Sequence, residues 1–367
     1  MRRVSRTFLL LLLVLAVDAT GQQAEPLVIA TWGGSYQAAQ QATLFTPYTR
    51  EHERPVTTLP YAGGLDILRR ADPPDLVDMS MSEAMAACEA GLLQPLHDLE
   101  LPPGADGTPA NDDFLPGARA RCAVTHTVYA TVIAYDRRAF GSVRPRKLQH
   151  LFDLEEFPGR RALQASPAGN LEWALRSLGV PRAELYNVLS TRRGLDLALR
   201  RLDTLAGEIH WWEDGEEPVR LLESGEVVMA SGFNGRFFSA RLDHDSPIDI
   251  LWDGQLQEQQ TWVIPRGAAR PEQARAFIRF ATRTEPLAAF AERMAYGPAR
   301  HSASRAVGRH PETGIDMRIQ IPTHPYNAET AIEKDVRWYA QTYQRIQERF
   351  GAWRHATDGM GSRETSD

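Results

Sequence analysis

Runs of β-branched and aliphatic residues alternate with helical patterns along most of this chain, and that alternation constrains its fold more than any other feature. Residues 27–31 (LVIAT) form a β-prone run, Gly33 and Gly34 make a turn, and Ser35 caps a helical pattern over residues 36–45. Residues 75–79 read as a buried strand and residues 83–93 as the helix behind it, stopped by Gly91 and Pro95. The most strand-prone segment, 128–135 (VYATVIAY), ends at Asp136, where the character of the chain changes. The pattern then repeats, with strands over 161–164 and 227–231 and helices over 171–178, 194–205 and 217–224. A short strand over 262–265 leads into a helix over 271–282 with proline in its first turn. Parallel strands need a long crossover, normally a helix, so this alternation implies βαβ units and an α/β fold. The roughly 340 residues that follow a leader exceed what one hydrophobic core organises, and two lobes are expected. The first crossing between them falls at the end of the 128–135 run and the return at 262–265. This gives one lobe from 25–134 with 262–305, a second from 135–261 with 306–353, and a polar tail over 354–367. A final amphipathic helix over 331–353 carries Val336, Tyr339, Tyr343, Ile346 and Phe350 at helical spacing, a pattern that docks one face onto a lobe.

The N-terminus addresses the chain for export. Arg2, Arg3 and Arg6 precede an apolar run over 8–17, and small and polar residues follow through Ala24, the layout of a secretory signal over residues 1–24. Cleavage is expected between Ala19 and Ala24, giving a soluble periplasmic protein that does not span the membrane. An uncleaved anchor is the alternative. The run is too short for a bilayer that needs about 20 helical residues, and no later segment is long and apolar enough. The full chain carries a formal charge of −6 and loses three arginines and only Asp18 with the leader, so the mature chain is more acidic still. Its basic residues are dispersed, which excludes nucleic acid as a partner. Arginine stands in for lysine almost everywhere, leaving Lys147 and Lys334 as the two exceptions. Cys88 and Cys122 are the only cysteines, and an even pair in an oxidising compartment predicts a disulfide; two buried thiols are the alternative. Without a second cysteine pair or paired histidines they do not predict a metal site.

Signatures of catalysis are missing: no Gly-x-Ser-x-Gly, no His-Glu-x-x-His, no phosphate loop and no Gly-x-Gly-x-x-Gly after a strand. The ten histidines are scattered, and His97, His126 and His210 take no assigned role. No cofactor and no catalytic residue is expected. What stands out is a set of aromatic and polar residues at predicted strand ends, where open α/β sheets bind ligands. Trp32 and Tyr36 flank the glycine turn, Phe233 and Asn234 follow the strand ending at 231, and Trp252 precedes Asp253 and Gly254. Aromatic faces there attract an amine, while backbone amides at Ser35 suit an anion. Taken singly, each aromatic is better read as a core residue.

At these positions the sequence resembles the spermidine/putrescine-type periplasmic solute-binding proteins of ABC transporters. The resemblance covers nearly the whole mature chain. It rests on TWGGSY at 31–36, PDLV at 74–77, GLL at 91–93, FPGR at 157–160, NLEWAL at 170–175, GEV at 225–227, FNGR at 233–236, WDGQL at 252–256, WVIP at 262–265 and YGP at 296–298, in the family's order. It implies a two-lobed α/β binding-protein fold of type II, with crossing hinge strands and a ligand cleft that closes by a hinge movement. It further implies a monomer that binds a small molecule and delivers it to ABC permease subunits. By the same resemblance Trp32, Gly33, Ser35 and Tyr36 form the wall of the first lobe, Ser82 and Glu83 the polar loop after its second strand, and Phe233, Asn234 and Arg236 the second lobe's contribution. Tyr296 matches another site position.

Two departures bear on specificity. Gln260 stands where polyamine receptors carry a carboxylate, and the segment ending at Gly169 lacks the acidic residues expected there. Glu83, Glu172 and Glu258 either compensate or are structural. The expectation is therefore a receptor for a small polar, polyamine-like ligand with at most one cationic centre. The alternatives are an exported sensor or enzyme on the same fold, or a receptor for iron, thiamine or an aminophosphonate.

Overall fold

The computed structural model describes residues 25–242 and 246–364, so the leader read over residues 1–24 lies outside the described residues. β1 (Leu27–Thr31) passes through Gly33 into α1 (Gly34–Gln40), which continues through a π-helical turn into α2 (Thr46–His52). The chain returns as β2 (Val56–Pro60), parallel to β1. β3 (Leu76–Ser80) pairs with the other edge of β1 and feeds α3 (Met81–Glu89). All five residues of β3 are buried, as in a parallel sheet covered on both faces. After the short α4 (Ala110–Asp113), β4 (Val124–Asp136) runs into the second half of the molecule.

That half comprises β5 (Arg161–Gln164), α5 (Asn170–Ser177), α6 (Leu185–Leu189), α7 (Arg192–Asp203), β6 (Ile209–Trp212), α8 (Glu217–Ser224), β7 (Met229–Phe233) and α9 (Asn234–Arg241). β8 (Ile248–Val263) carries the chain back to α10 (Pro271–Ala281), α11 (Thr284–Arg293), β9 (Gly297–Pro298) and α12 (His301–Ala306). α13 (Pro325–Ala328), β10 (Ile332–Glu333) and α14 (Val336–Glu364) complete the chain.

The strand order β2-β1-β3-β8-β4-β7-β5-β6 explains the two lobes. β8 pairs with β3 at one end (Val77↔Val263), while β4 pairs with β7 at the other (Tyr135↔Met229), and β4 and β8 pair with each other in between. These two strands are the hinge. The expected crossing runs at 128–135 and 262–265 are fragments of them; the strands are 13 and 16 residues long. The polar stretch of β8, from Gln257 to Gln260, reads as loop by propensity. It is a strand because cross-strand pairing decides, and intrinsic preference does not.

Three other differences have physical causes. Trp252, Asp253 and Gly254 do not flank a ligand at a strand end: they belong to an irregularity within β8, where Leu251 and Leu256 pair with Ile133 and Thr131 around the single residue Val132. Gly254 has φ +74° and lies against Leu148, while Trp252 packs on the second lobe's core. The last helix starts at Val336, because Ile332 and Glu333 pair with Leu256 and Gln257 of β8. It also continues past Trp353 to Glu364, where the sequence reads as a polar tail. Trp338, Tyr339, Ile346 and Phe350 dock it into the second lobe's core, as its apolar spacing implies.

Cys88 and Cys122 are disulfide-bonded with Cα atoms 5.9 Å apart, tying the end of α3 to the entry of β4. Among the described residues no helix is long and apolar enough to cross a membrane.

Candidate functional site

Period-two alternation places Tyr129 of β4 and Glu258 of β8 opposite each other on one face of the hinge. The Tyr129 ring lies 5.7 Å from Phe233 and 6.0 Å from Tyr296, centroid to centroid. Trp32 packs on the same cluster and meets Tyr61 edge-on at 4.8 Å. The result is an aromatic cage with Trp32 and Tyr296 from the first lobe, Phe233 from the second, and Tyr129 from the hinge. The buried Trp32 Nε1–H has no acceptor among the described residues, an unmet donor that a ligand can satisfy.

The two lobes meet at this cage. Gly34 has φ +59°, and a Cβ there would lie 2.7 Å from the Glu216 carboxylate and 3.0 Å from the Arg236 guanidinium. Gly235, beside Arg236, would place a Cβ 2.6 Å from the Tyr296 ring. Gly34 needs glycine for its positive φ, and Gly235 for the close approach of α9 to Met294 and Tyr296. Arg236 Nη1 donates to Glu216 Oε1; the arginine side chain is 11% exposed and the glutamate 45%. Burial pushes the Tyr296 hydroxyl up to about 12, against the opposing pull of Arg236. Gly33 (φ +73°) and the partly exposed Ser35 complete the first lobe's edge.

Behind the cage, Asp78 is fully buried and surrounded by donors. Tyr36 Oη (2.7 Å), Gln40 Nε2 (2.6 Å) and Gln260 Nε2 (2.8 Å) donate to it, and His126 Nε2 lies 3.1 Å away. A bulge between Thr125 and Thr127 re-aims His126, stacking its ring on Trp262 at 4.5 Å. The polar ends of Tyr36 and Gln260 are thus engaged with Asp78, although the Tyr36 ring still packs against Tyr296 at 5.8 Å. Burial first, then Asp78, pushes the Tyr36 hydroxyl well above its usual range.

Asn234 is also a tie: its Oδ1 accepts from Ala130 N (2.9 Å), and its amide donates to Ala295 O. Glu83 closes a capping box with Ser80 at the start of α3 and accepts from Gly64 N at 2.7 Å. Burial raises its carboxyl above the usual range, against the lowering effect of those donors. Glu172 sits inside the second lobe, bonded by Gly169 N, Tyr186 and Tyr339 at 2.9, 3.1 and 2.7 Å.

Glu258 is more fully engaged. Ser82 Oγ and N donate to one oxygen; Tyr129 Oη (2.7 Å) and Lys334 Nζ (2.8 Å) donate to the other. Burial pushes this carboxyl up, but Lys334 and the hydroxyl donors prevail and hold it below its ordinary value. Ser82 therefore faces Glu258.

Of the residues singled out in the sequence, the cage thus unites Trp32, Phe233 and Tyr296 with Arg236 beside it, while Tyr36, Asn234 and Gln260 brace it. Sequence reading missed Tyr129, Tyr61, Asp78, Glu216 and Lys334. The signal for Tyr129 was available, as an aromatic inside the most strand-prone run.

On the other face of the hinge, Val128, Gln257 and Gln259 line a pocket of about 830 Å³ with Met81, Met85 and Val336, and the Glu258–Lys334 pair borders it as well. It lacks the aromatic cage and the unmet indole donor, so the cleft at the cage is the candidate ligand site. Among the described residues no group of three or more His, Cys, Asp or Glu could hold a metal ion.

Residues 56–313 match the family of bacterial extracellular solute-binding proteins. A gamma-aminobutyric acid-binding protein of Pseudomonas aeruginosa is 31% identical over 345 residues, covering 92% of this chain and 94% of that protein. Among solved structures, the PBP MotA of A. tumefaciens B6 in complex with glucopine superposes with a TM-score of 0.78 at 24% identity, covering 90% of this chain and 99% of that one. The GABA receptor Atu4243 gives 0.76 at 25% identity, with 89% and 97% covered. The spermidine/putrescine-binding protein PotD of Streptococcus pneumoniae gives 0.67 at 17% identity, with 90% and 99% covered.

Proposed function

The chain belongs to the family of bacterial extracellular solute-binding proteins, and from that premise we propose that its cleft takes a small zwitterion of the γ-aminobutyrate class. It is an extracytoplasmic receptor that binds a small molecule and works with the permease components of an ABC importer; proteins of this kind bind and do not catalyse. Export to the periplasm and action as a monomer accord with this role.

The observation that carries the ligand reading is the Arg236–Glu216 pair beside the aromatic cage. A guanidinium is the side chain best shaped to hold a carboxylate by two parallel hydrogen bonds. A ligand carboxylate that takes Arg236 releases Glu216 for the ligand's ammonium, and the faces of Trp32, Tyr129 and Phe233 contribute roughly 0.5–2 kcal/mol each to holding that ammonium. Charge is conserved in this exchange, because one ion pair and a net-neutral zwitterion become two ion pairs. The 31% identical relative named for gamma-aminobutyric acid supports the same class. A polyamine fits less well, since it brings two or more ammonium groups and no carboxylate for Arg236.

Thermal melting with γ-aminobutyrate, other ω-amino acids, α-amino acids, putrescine and spermidine tests the proposal. An ω-amino acid at a hundredfold excess over its Kd should stabilise the protein by about 2.7 kcal/mol. Stabilisation by spermidine and none by any zwitterion would overturn it.

A further inference from the structure

Lys334 Nζ is surrounded by the chemistry that binds a ligand amine. It donates to Glu258 Oε2 at 2.8 Å and to Ser82 Oγ at 3.2 Å, and it lies 4.6 Å from the centroid of the Tyr339 ring. A carboxylate, a hydroxyl and an aromatic face are what a protein presents to an alkylammonium ion. The side chains of Lys334 and Glu258 are only 11% and 5% exposed. The same carboxylate also receives the Tyr129 hydroxyl, and the Tyr129 ring is a wall of the cage. This enclosure is therefore one side chain away from the ligand cleft.

The lysine comes from a distant part of the chain. It lies between β10 and α14, and its backbone N–H is fixed to Gln257 O at 3.0 Å. It is one of two lysines in a chain that otherwise uses arginine. A planar guanidinium is larger than this enclosure's single ammonium position and differs from it in donor geometry, so arginine is no substitute.

We propose that Lys334 is a tethered ammonium occupying an amine subsite of the cleft, and that it makes the receptor reject diamines. The inference deepens the cleft assignment above and rests on it, but not on the identity of the zwitterion. A diamine with one ammonium in the cage needs a carboxylate for the other. Asp78 is occupied by neutral donors, Glu83 by Ser80 and Gly64, and Glu258 by Lys334. Because Lys334 is covalently held, it competes with a free amine at a high effective concentration. Removing it leaves an anionic enclosure sized for an alkylammonium.

Calorimetry and melting with putrescine as the probe, on wild type, Lys334→Ala and the double variant Lys334→Ala/Glu258→Gln, test this. Lys334→Ala should bind putrescine about tenfold or more tightly than wild type, the scale of one charge-assisted contact, and the double variant should lose that gain. A putrescine affinity equal to wild type in folded Lys334→Ala would overturn the proposal, as would a gain that survives in the double variant. If Lys334→Ala does not fold in buffer, recovery of its melting transition by putrescine or propylammonium supports the proposal. No recovery, with the double variant folded, counts against it. A wild type that ignores γ-aminobutyrate would overturn the zwitterion reading alone, since the diamine comparison needs no zwitterion.

Discussion

Two charged pairs flank the aromatic cage, and they are built differently. Glu258–Lys334 lies at the hinge, nearly sealed, with both carboxylate oxygens engaged by Ser82, Tyr129 and the lysine. Arg236–Glu216 lies where the lobes meet, with the glutamate about half exposed. The two cations are equally buried, at 11% exposed each, so the difference lies in the carboxylates: stranding a buried one is expensive, whereas a half-exposed one leaves its partner for water or a ligand at lower cost. The first pair therefore shapes what the cleft excludes, and the second is free to trade its partner for a ligand.

That difference can be broken or sharpened by substitution. The largest effect is expected from Lys334→Met, which strands Glu258 in the interior: about 3–5 kcal/mol of stability should be lost in urea unfolding. A loss below about 1 kcal/mol would show that the hinge pair is as dispensable as a surface pair. Next comes Arg236→Ala, expected to cost about 2–5 kcal/mol of γ-aminobutyrate affinity by calorimetry, while unfolding shifts far less. Equal effects on stability and affinity would erase the distinction between the pairs.

The pH dependence separates the groups further. Glu258 is held below the ordinary glutamate value, so its contribution to stability is fully present above an unfolded pKa of about 4.3 and is lost as pH falls through the lower folded value. The stability difference between wild type and Glu258→Gln should shrink below about pH 4. Glu83 has the opposite sign: its raised carboxyl makes stability fall as pH rises from about 4.3 toward the folded value, and Glu83→Gln should remove that slope. Smallest of all, Glu216→Gln should change stability by less than about 1 kcal/mol while weakening zwitterion binding.

The same contrast explains what the sequence made legible. Alternating strands and helices disclosed the α/β architecture, and β5 and α8 have the expected bounds because their residues are locally consistent. Trp32, Phe233 and Tyr296 stood out as aromatics at strand ends or family positions. β8 did not, because a strand containing Gln257, Glu258, Gln259 and Gln260 is stabilised by pairing with β4 and by side-chain hydrogen bonds that no local pattern encodes. The Asp78 cluster was hidden for a related reason. It gathers Tyr36 and Gln40 of α1, His126 of β4 and Gln260 of β8 around Asp78 of β3, and a bulge is needed to turn His126 inward. Lys334 was conspicuous only as a rare residue type, since Glu258 lies 76 positions earlier.

A crystal structure with γ-aminobutyrate bound tests the central claim most directly. The ligand carboxylate should lie on Arg236 at about 2.7–2.9 Å, with Glu216 released toward the ammonium and Glu258 still paired with Lys334. A ligand whose ammonium lies on Glu258, with Arg236 still bonded to Glu216, would contradict it.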